Sequence, residues 1–214
     1  MTTHTPTIGE QAEALASASA AKMPEEIVGA FAADQAALDA RGVPNDVVAP
    51  GTVMPDGAPT SLAQLRDGRP AVVVFYRGAW CPYCNITLRT YQADLVPALG
   101  ERGFALIAVS PQKPDGSLTS AQSNELTYSV ASDPGNQLAV ALGILSEPSP
   151  DAIAAQVKLG LDLTEHNADG EKTLPMPTVV VIDAAGVIQW IDVHPNYATR
   201  SEVLDILAAV DAVS

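Results

Sequence analysis

Apolar positions change their spacing several times along the chain, and each change predicts a different element. Residues 8–41 are Ala-rich and carry Leu15, Met23, Ile27, Val28, Phe31 and Leu38 near helical spacing. Two short amphipathic helices broken near Pro24 are expected there. Pro24 followed by Glu25 and Glu26 suits a helix start, because proline has no N–H to leave unbonded and acids meet the positive end of the dipole. Gly42-Val43-Pro44-Asn45 closes this N-terminal arm, which could pack on the main body or on a second subunit.

From Val47 the pattern turns irregular. Residues 47–61 contain Pro50, Gly51, Pro55, Asp56, Gly57 and Pro59 and read as extended pieces joined by turns. Residues 71–76, Ala-Val-Val-Val-Phe-Tyr, form an unbroken β-branched and aromatic run, the signature of a strand covered on both faces. Ile86, Leu88, Tyr91, Leu95 and Leu99 return to helical spacing, with Pro97 expected to kink or end the helix early. Residues 104–109 form a second buried strand, so 71–109 is a strand–helix–strand unit. Further on, residues 117–125, 135–142 and 151–159 read as helices and 128–131 as a strand. Residues 146–150 and 164–173 read as loops. Residues 179–182 and 187–193 read as strands joined by Asp183-Ala184-Ala185-Gly186, a tight-turn signal that predicts antiparallel pairing. Residues 201–213 form a closing amphipathic helix. The result is an α/β fold: a mixed central β-sheet with helices on both faces and an N-terminal helical arm.

Charge narrows the partners. Eleven Lys and Arg against 25 Asp and Glu leave a net charge of −14 over 214 residues, which repels phosphate backbones and anionic lipid, so neither nucleic acid nor membrane is an expected partner. No run approaches the ~20 apolar residues of a membrane span. The first residues, Met1-Thr2-Thr3-His4-Thr5-Pro6, lack the basic and apolar stretches of a secretory signal, so a cytoplasmic location is expected.

The chemistry concentrates in one string. The only two cysteines, Cys81 and Cys84, stand in Trp80-Cys81-Pro82-Tyr83-Cys84 where the first buried strand meets the following helix. Unpaired N–H groups and the dipole of a first helical turn stabilise a thiolate, and a second thiol at this spacing can close a disulfide with it. A Cys-x-x-Cys beside a strand–helix–strand pattern reads as a redox pair. The bland alternatives are inert buried thiols or half of a zinc site, for which His4, His166 and His194 are the only histidine donors and about four ligands would be needed. No metal or cofactor is expected.

The motif, with Met176-Pro177-Thr178 before the strand at 179–182, resembles the thioredoxin superfamily, which implies a thioredoxin-like fold with a cis-proline at Pro177 facing the cysteines. Within it, Phe75-Tyr76-Arg77-Gly78-Ala79-Trp80-Cys81-Pro82-Tyr83-Cys84-Asn85 and Val181-Ile182-Asp183 are similar to the alkyl hydroperoxide reductase and thiol-specific antioxidant family, the peroxiredoxins, and to their Cys-Pro-Tyr-Cys-bearing members. The resemblance covers residues 47–210. It implies a peroxiredoxin-like thiol oxidoreductase that cycles Cys81 and Cys84 between dithiol and disulfide, reducing hydroperoxides at the expense of thioredoxin, glutaredoxin or a low-molecular-weight thiol. The chain departs from the family frame Pro-x-x-x-Thr-x-x-Cys, with Arg77 at the proline and Cys81 at the threonine. Pro177 stands where the family places a peroxide-polarising arginine, and Phe75 where thioredoxin keeps a buried acid.

On these grounds Cys84, Cys81 and Arg77 are the candidate catalytic residues, and Trp80, Tyr83, Met176, Pro177 and Thr178 the candidate substrate-binding ones. In the peroxide version Cys84 attacks the O–O bond and Cys81 resolves the sulfenic acid. In the exchange version a more exposed Cys81 attacks a substrate disulfide. Arg77 reads equally as a cation beside the thiolate or as a surface residue on a strand-to-loop corner. His194 reads as a strand-end histidine, Asp133-Pro134-Gly135 as a turn and helix start, and Arg200 as a cap or pair on the last helix. Two other functions stay open: a thioredoxin- or glutaredoxin-like disulfide reductase, and a binding module with silent or zinc-bound thiols. The organisation expected is an arm over residues 1–45 and a peroxiredoxin-like domain over 46–214, with a homodimer left open.

Overall fold

The structure, a computed structural model, describes residues 6–57 and 61–213. Residues 1–5 and 58–60, with His4 and Pro59 among them, lie outside the described residues. In chain order the elements are α1 (Ile8–Ala20), α2 (Glu25–Arg41), α3 (Leu62–Arg66), β1 (Ala71–Phe75), α4 (Pro82–Thr90), a π-helical turn (Tyr91–Leu95), α5 (Val96–Glu101), β2 (Ala105–Ser110), α6 (Pro114–Ser123), β3 (Ser129–Ser132), a 3-10 turn (Pro134–Asn136), α7 (Gln137–Leu142), β4 (Leu145–Ser146), α8 (Pro150–Lys158), α9 (Leu163–His166), β5 (Leu174–Pro175), β6 (Thr178–Ile182), β7 (Ile188–Val193) and α10 (Val203–Asp211).

Five strands form one sheet in the order β3-β2-β1-β6-β7. β1 pairs in parallel with β2, and β2 with β3, while β6 runs antiparallel to both β1 and β7. Strand side chains alternate between faces, and both faces of β1 are covered. Val73 and Phe75 pack with Ile107, Val180 and Leu142, whereas Val72 and Val74 pack with Tyr91, Leu95 and Ile206. That double burial is why 71–75 reads as a continuous apolar run instead of an alternating one.

The helix after β1 does not stop at Pro97. Its middle widens into the π-helical turn, in which the Val96 N–H donates to the Tyr91 carbonyl five residues back. The wider turn relieves the clash that proline makes with the preceding turn, and α5 continues to Glu101 with Pro97 in its first positions. Four short elements lay below the resolution of the apolar pattern: α3, α9 at the start of the expected polar loop, and the paired two-residue strands β4 and β5.

The N-terminal helices are tied to the rest of the chain at both ends. Thr7 and Glu10 form a capping box at the start of α1, and the Glu202 carboxylate, at the α10 N-cap, accepts from the Ile8 and Gly9 N–H groups at 3.0 and 2.8 Å. An anion at these unpaired donors complements the dipole of α1. On α2, the buried Asp34 accepts from the Ser149 N–H at 2.8 Å, directly at the start of α8, and Asn196 donates to Asp39 at 2.9 Å. Both helices thereby come against the segments that carry the cysteines and the 194–201 loop.

Candidate active site

The junction of β1 and α4 is shaped by what its backbone can bond. Cys81 is the N-cap of α4 with extended backbone, Pro82 follows in the first turn where no N–H is needed, and Cys84 falls at the third helical position. The Cys81 N–H donates to the Gly78 carbonyl at 3.1 Å, closing the turn. Gln112 accepts from the Ala79 N–H at 2.5 Å, and Asn85 donates to the Ala79 carbonyl at 2.8 Å while accepting from Asn124 at 3.0 Å. These three amides hold the loop from behind. Nothing in their own sequence neighbourhoods announces it.

Gly78 has φ +153°, and a Cβ there would lie 2.5 Å from Trp80 Nε1 and 3.0 Å from Gln112 Cδ. Gly78→Ala therefore has to displace a rigid indole, and a destabilisation of about 1–3 kcal/mol is expected. Urea unfolding checks the loss, and Trp80 fluorescence, read in a Trp190→Phe background, checks the displacement.

Both thiols are free and buried, Cys81 at 1% exposure and Cys84 at 0%. The expectation of a more exposed Cys81 is thus corrected: both thiols belong to a buried cluster with Tyr76 and Leu88, and Trp80 and Tyr83 pack against it. The two differ in their electrostatics. Burial raises the Cys81 thiol well above its ordinary value, and its hydrogen bond with Cys84 and the charge on that neighbour raise it further. Burial opposes the Cys84 thiolate too, but the Cys81 thiol, the Arg200 guanidinium, the Arg77 backbone N–H and the Arg77 charge outweigh it and leave Cys84 well below the ordinary thiol value. Of the two sulfurs, Cys84 is the one whose surroundings favour the thiolate.

Arg200 is the residue that sequence reasoning missed. Expected as a cap or pair on the last helix, it instead donates from Nη2 to Cys84 Sγ at 3.3 Å. The Tyr197 and Thr199 carbonyls accept from its Nη1 and fix the guanidinium, while Tyr91, inside the π-helical turn, donates to the neighbouring Ser201 carbonyl at 2.7 Å. Arg77 is buried at 5% exposure, with its guanidinium carbon 4.1 Å from the Tyr197 ring centroid and 5.2 Å from that of Trp80. Stacking on two rings stabilises this desolvated cation. The surface-corner reading of Arg77 is therefore overturned.

The remaining candidates separate. Pro177 and Thr178 wall a cavity of about 10 Å³ that also touches Cys84, Tyr76, His194 and Arg200. That space holds about one water-sized molecule. The Thr178 hydroxyl donates to the Met176 carbonyl at 2.9 Å, and Met176 itself packs into the core beneath the sheet. Trp80 and Tyr83 line a different and larger space together with Cys81. His194 has both ring nitrogens engaged, by Thr199 at 2.9 Å and Asp192 at 3.0 Å. Among the described residues no group of three or more His, Cys, Asp or Glu side chains is placed to hold a metal.

Comparison with known proteins agrees with this architecture. The sequence model of the AhpC/TSA family matches residues 45–191. Two Mycobacterium tuberculosis proteins that carry the peroxiredoxin name, from strains CDC 1551 / Oshkosh and H37Rv, are each 35% identical over 105 residues, covering 46% of this chain. The chain spans 63% of the length of these curated relatives. Among solved structures, reduced Prx3 from Vibrio vulnificus in complex with H2O2 superposes with a TM-score of 0.61 at 18% identity, covering 77% of this chain and 99% of that one. The peroxidoxin BcpB from M. tuberculosis superposes at 0.54 with 20% identity, covering 79% and 96%. These likenesses establish a shared thioredoxin-like fold. The family match ends before His194, Tyr197 and Arg200 and begins after α1 and α2.

Proposed function

The chain belongs to the AhpC/TSA family, and on that premise we propose that it is a thiol peroxidase in which Cys84 reduces a hydroperoxide and Cys81 resolves it. One observation carries the reading: Cys84, on the first turn of α4, has Arg200 Nη2 3.3 Å from its sulfur, a donor and a charge that favour its thiolate. A guanidinium there does two things. It keeps the sulfur ionised, and it provides a donor beside the O–O bond, where charge develops as the bond breaks. This supplies from residue 200 the function that the family frame assigns to the position occupied here by Pro177.

The chemistry closes on the two sulfurs. The Cys84 thiolate attacks the terminal oxygen of ROOH, the O–O bond breaks, and the departing alkoxide takes a proton to leave as ROH. The resulting Cys84 sulfenic acid condenses with the Cys81 thiol, releasing water and forming the Cys81–Cys84 disulfide. Two equivalents of a thiol donor, a small thiol or a protein such as thioredoxin or glutaredoxin, restore the dithiol. Pro177 and Thr178 wall the space for the reacting oxygens, Trp80 and Tyr83 belong to the surrounding binding region, and Met176 anchors Pro177 and Thr178 from the core. Arg77 supports the thiolate through its backbone N–H and its charge. Residues 46–214 form the peroxidase domain and residues 1–45 its arm. Among the described residues no helix is long and apolar enough to cross a membrane, and we place the enzyme in the cytoplasm.

One equivalent of hydrogen peroxide is expected to remove both titratable thiols, lower the mass by that of two hydrogens, and yield a peptide cross-linked between Cys81 and Cys84. If both thiols survive peroxide while a disulfide substrate oxidises them at once, the enzyme is a disulfide reductase instead. The raised Cys81 thiol disfavours that second reading, because exchange led by Cys81 needs its thiolate.

A further inference from the structure

The two sulfurs face different spaces. Cys84 borders the cavity of about 10 Å³ already described, whereas Cys81 borders a groove of about 780 Å³. A space of that size is within the range of about 300–1,000 Å³ in which small-molecule sites are built. Its walls come from elements distant in sequence: Leu15 on α1, Phe31 and Gln35 on α2, Trp80 and Tyr83 beside the cysteines, and Leu161 beyond α8. Gln35 shares this lining with Tyr83 and Tyr197, so the arm meets the rim of the redox pair. Although the chain carries 25 Asp and Glu, no acidic side chain among the described residues lines the groove, while Arg77 and His166 do. An apolar ligand, neutral or singly anionic, meets no repulsion there.

We propose that this groove binds the reductant, a low-molecular-weight thiol with a bulky apolar body, and presents its sulfur to Cys81 of the oxidised pair. The proposal rests on the peroxidase reading for the origin of the disulfide and adds to it where and by what chemical class that disulfide is opened. The reductant's thiolate bonds to Cys81 Sγ, the Cys81–Cys84 bond breaks, and the electron pair leaves with Cys84 as thiolate. A second equivalent of reductant attacks the reductant sulfur of the mixed disulfide, freeing Cys81 as thiolate, which takes up a proton, and the reductant departs as its own symmetrical disulfide. Two thiols are oxidised and one protein disulfide is reduced. The geometry favours this direction of opening. Exchange is faster when the departing sulfur is the better-stabilised anion, and Arg200 donates directly to Cys84 Sγ. The peroxide-sized cavity beside Cys84 and the groove beside Cys81 then serve the two half-reactions.

The test uses the full chain oxidised beforehand with diamide, so that it does not depend on the peroxide step. Reduction of the disulfide is followed with propane-1-thiol and with 4-phenylbutane-1-thiol, two alkanethiols that differ in apolar body and not in thiol type. The bulkier thiol is expected to be at least tenfold faster, with a rate that saturates, because the groove removes its larger apolar body from water. Ala32→Trp, which places an indole in the groove from α2, is expected to reduce that preference to near unity, and Ala16→Trp does the same from α1 should the first variant fold poorly. Equal rates with both thiols, or a preference unaffected by either variant, overturn the proposal. So does a groove effect confined to oxidation, with cumene hydroperoxide outpacing hydrogen peroxide and the two thiols alike. Failure of hydrogen peroxide to form the disulfide in a separate experiment sinks the peroxidase reading and leaves the groove test standing.

Discussion

Cys84→Ser is expected to lower hydroperoxide reduction by about three orders of magnitude or more, since no other side chain can take over the attack on oxygen. Cys81→Ser should behave quite differently. Its hydroxyl can still donate to the Cys84 thiolate in place of the thiol, so the first encounter with peroxide proceeds within about tenfold of the parent rate. The product then has no partner with which to condense, and a sulfenic acid accumulates that a dimedone-type probe captures. Turnover with a thiol donor falls because the disulfide can no longer form. Stopped-flow consumption of one equivalent of peroxide, followed by mass spectrometry of the trapped adduct, separates the two variants. A stable sulfenic acid on Cys81 in the Cys84→Ser protein would reverse the assignment.

Arg200→Met is the second large effect. The Cys81 thiol and the Arg200 guanidinium hold the Cys84 thiolate below its ordinary range, so removing the guanidinium raises it. A depressed thiol is ionised above its own pKa and loses reactivity as pH falls through it. In the variant the acid limb of the reactivity profile moves upward, and less thiolate is present at neutral pH. Loss of the donor beside the breaking O–O bond adds to this, and the rate of peroxide reduction is expected to drop about 10²–10³-fold. The pH dependence of Cys84 alkylation reports the first contribution alone, because alkylation needs the thiolate and no oxyanion. Arg200→Lys recovers the charge without the planar fork anchored by the Tyr197 and Thr199 carbonyls, so it should restore more of the alkylation profile than of the peroxidase rate. A purely structural role would shift neither profile and would appear only in thermal unfolding, which serves as the control.

Arg77 illustrates how far local reading extends. Its position at the end of β1 is plain from the apolar run before it, yet whether a corner arginine turns outward or inward depends on Tyr197 and Trp80 being there to stack on. Pro97 shows the same limit in the backbone. A proline ends a regular helix, but neighbouring packing on Tyr91 and Leu95 holds the chain in a wider turn that carries the helix past it.

The order of strands and helices, the double-sided burial of β1, and the placement of two thiols on the first turn of a helix were all written locally. Each follows from periodicity, from proline and glycine punctuation, or from the unpaired N–H groups that every helix start exposes. What surrounds each thiol was not. Arg200, 116 residues away in sequence, donates to Cys84, and the groove that Cys81 faces was assembled from α1, α2 and the segment beyond α8. Isolated polar residues carry no period, and the face a helix presents to a neighbour is decided only when the sheet brings them together. For such groups the energy of a charge or an apolar wall depends on its distance and burial, quantities that exist only once the chain is packed.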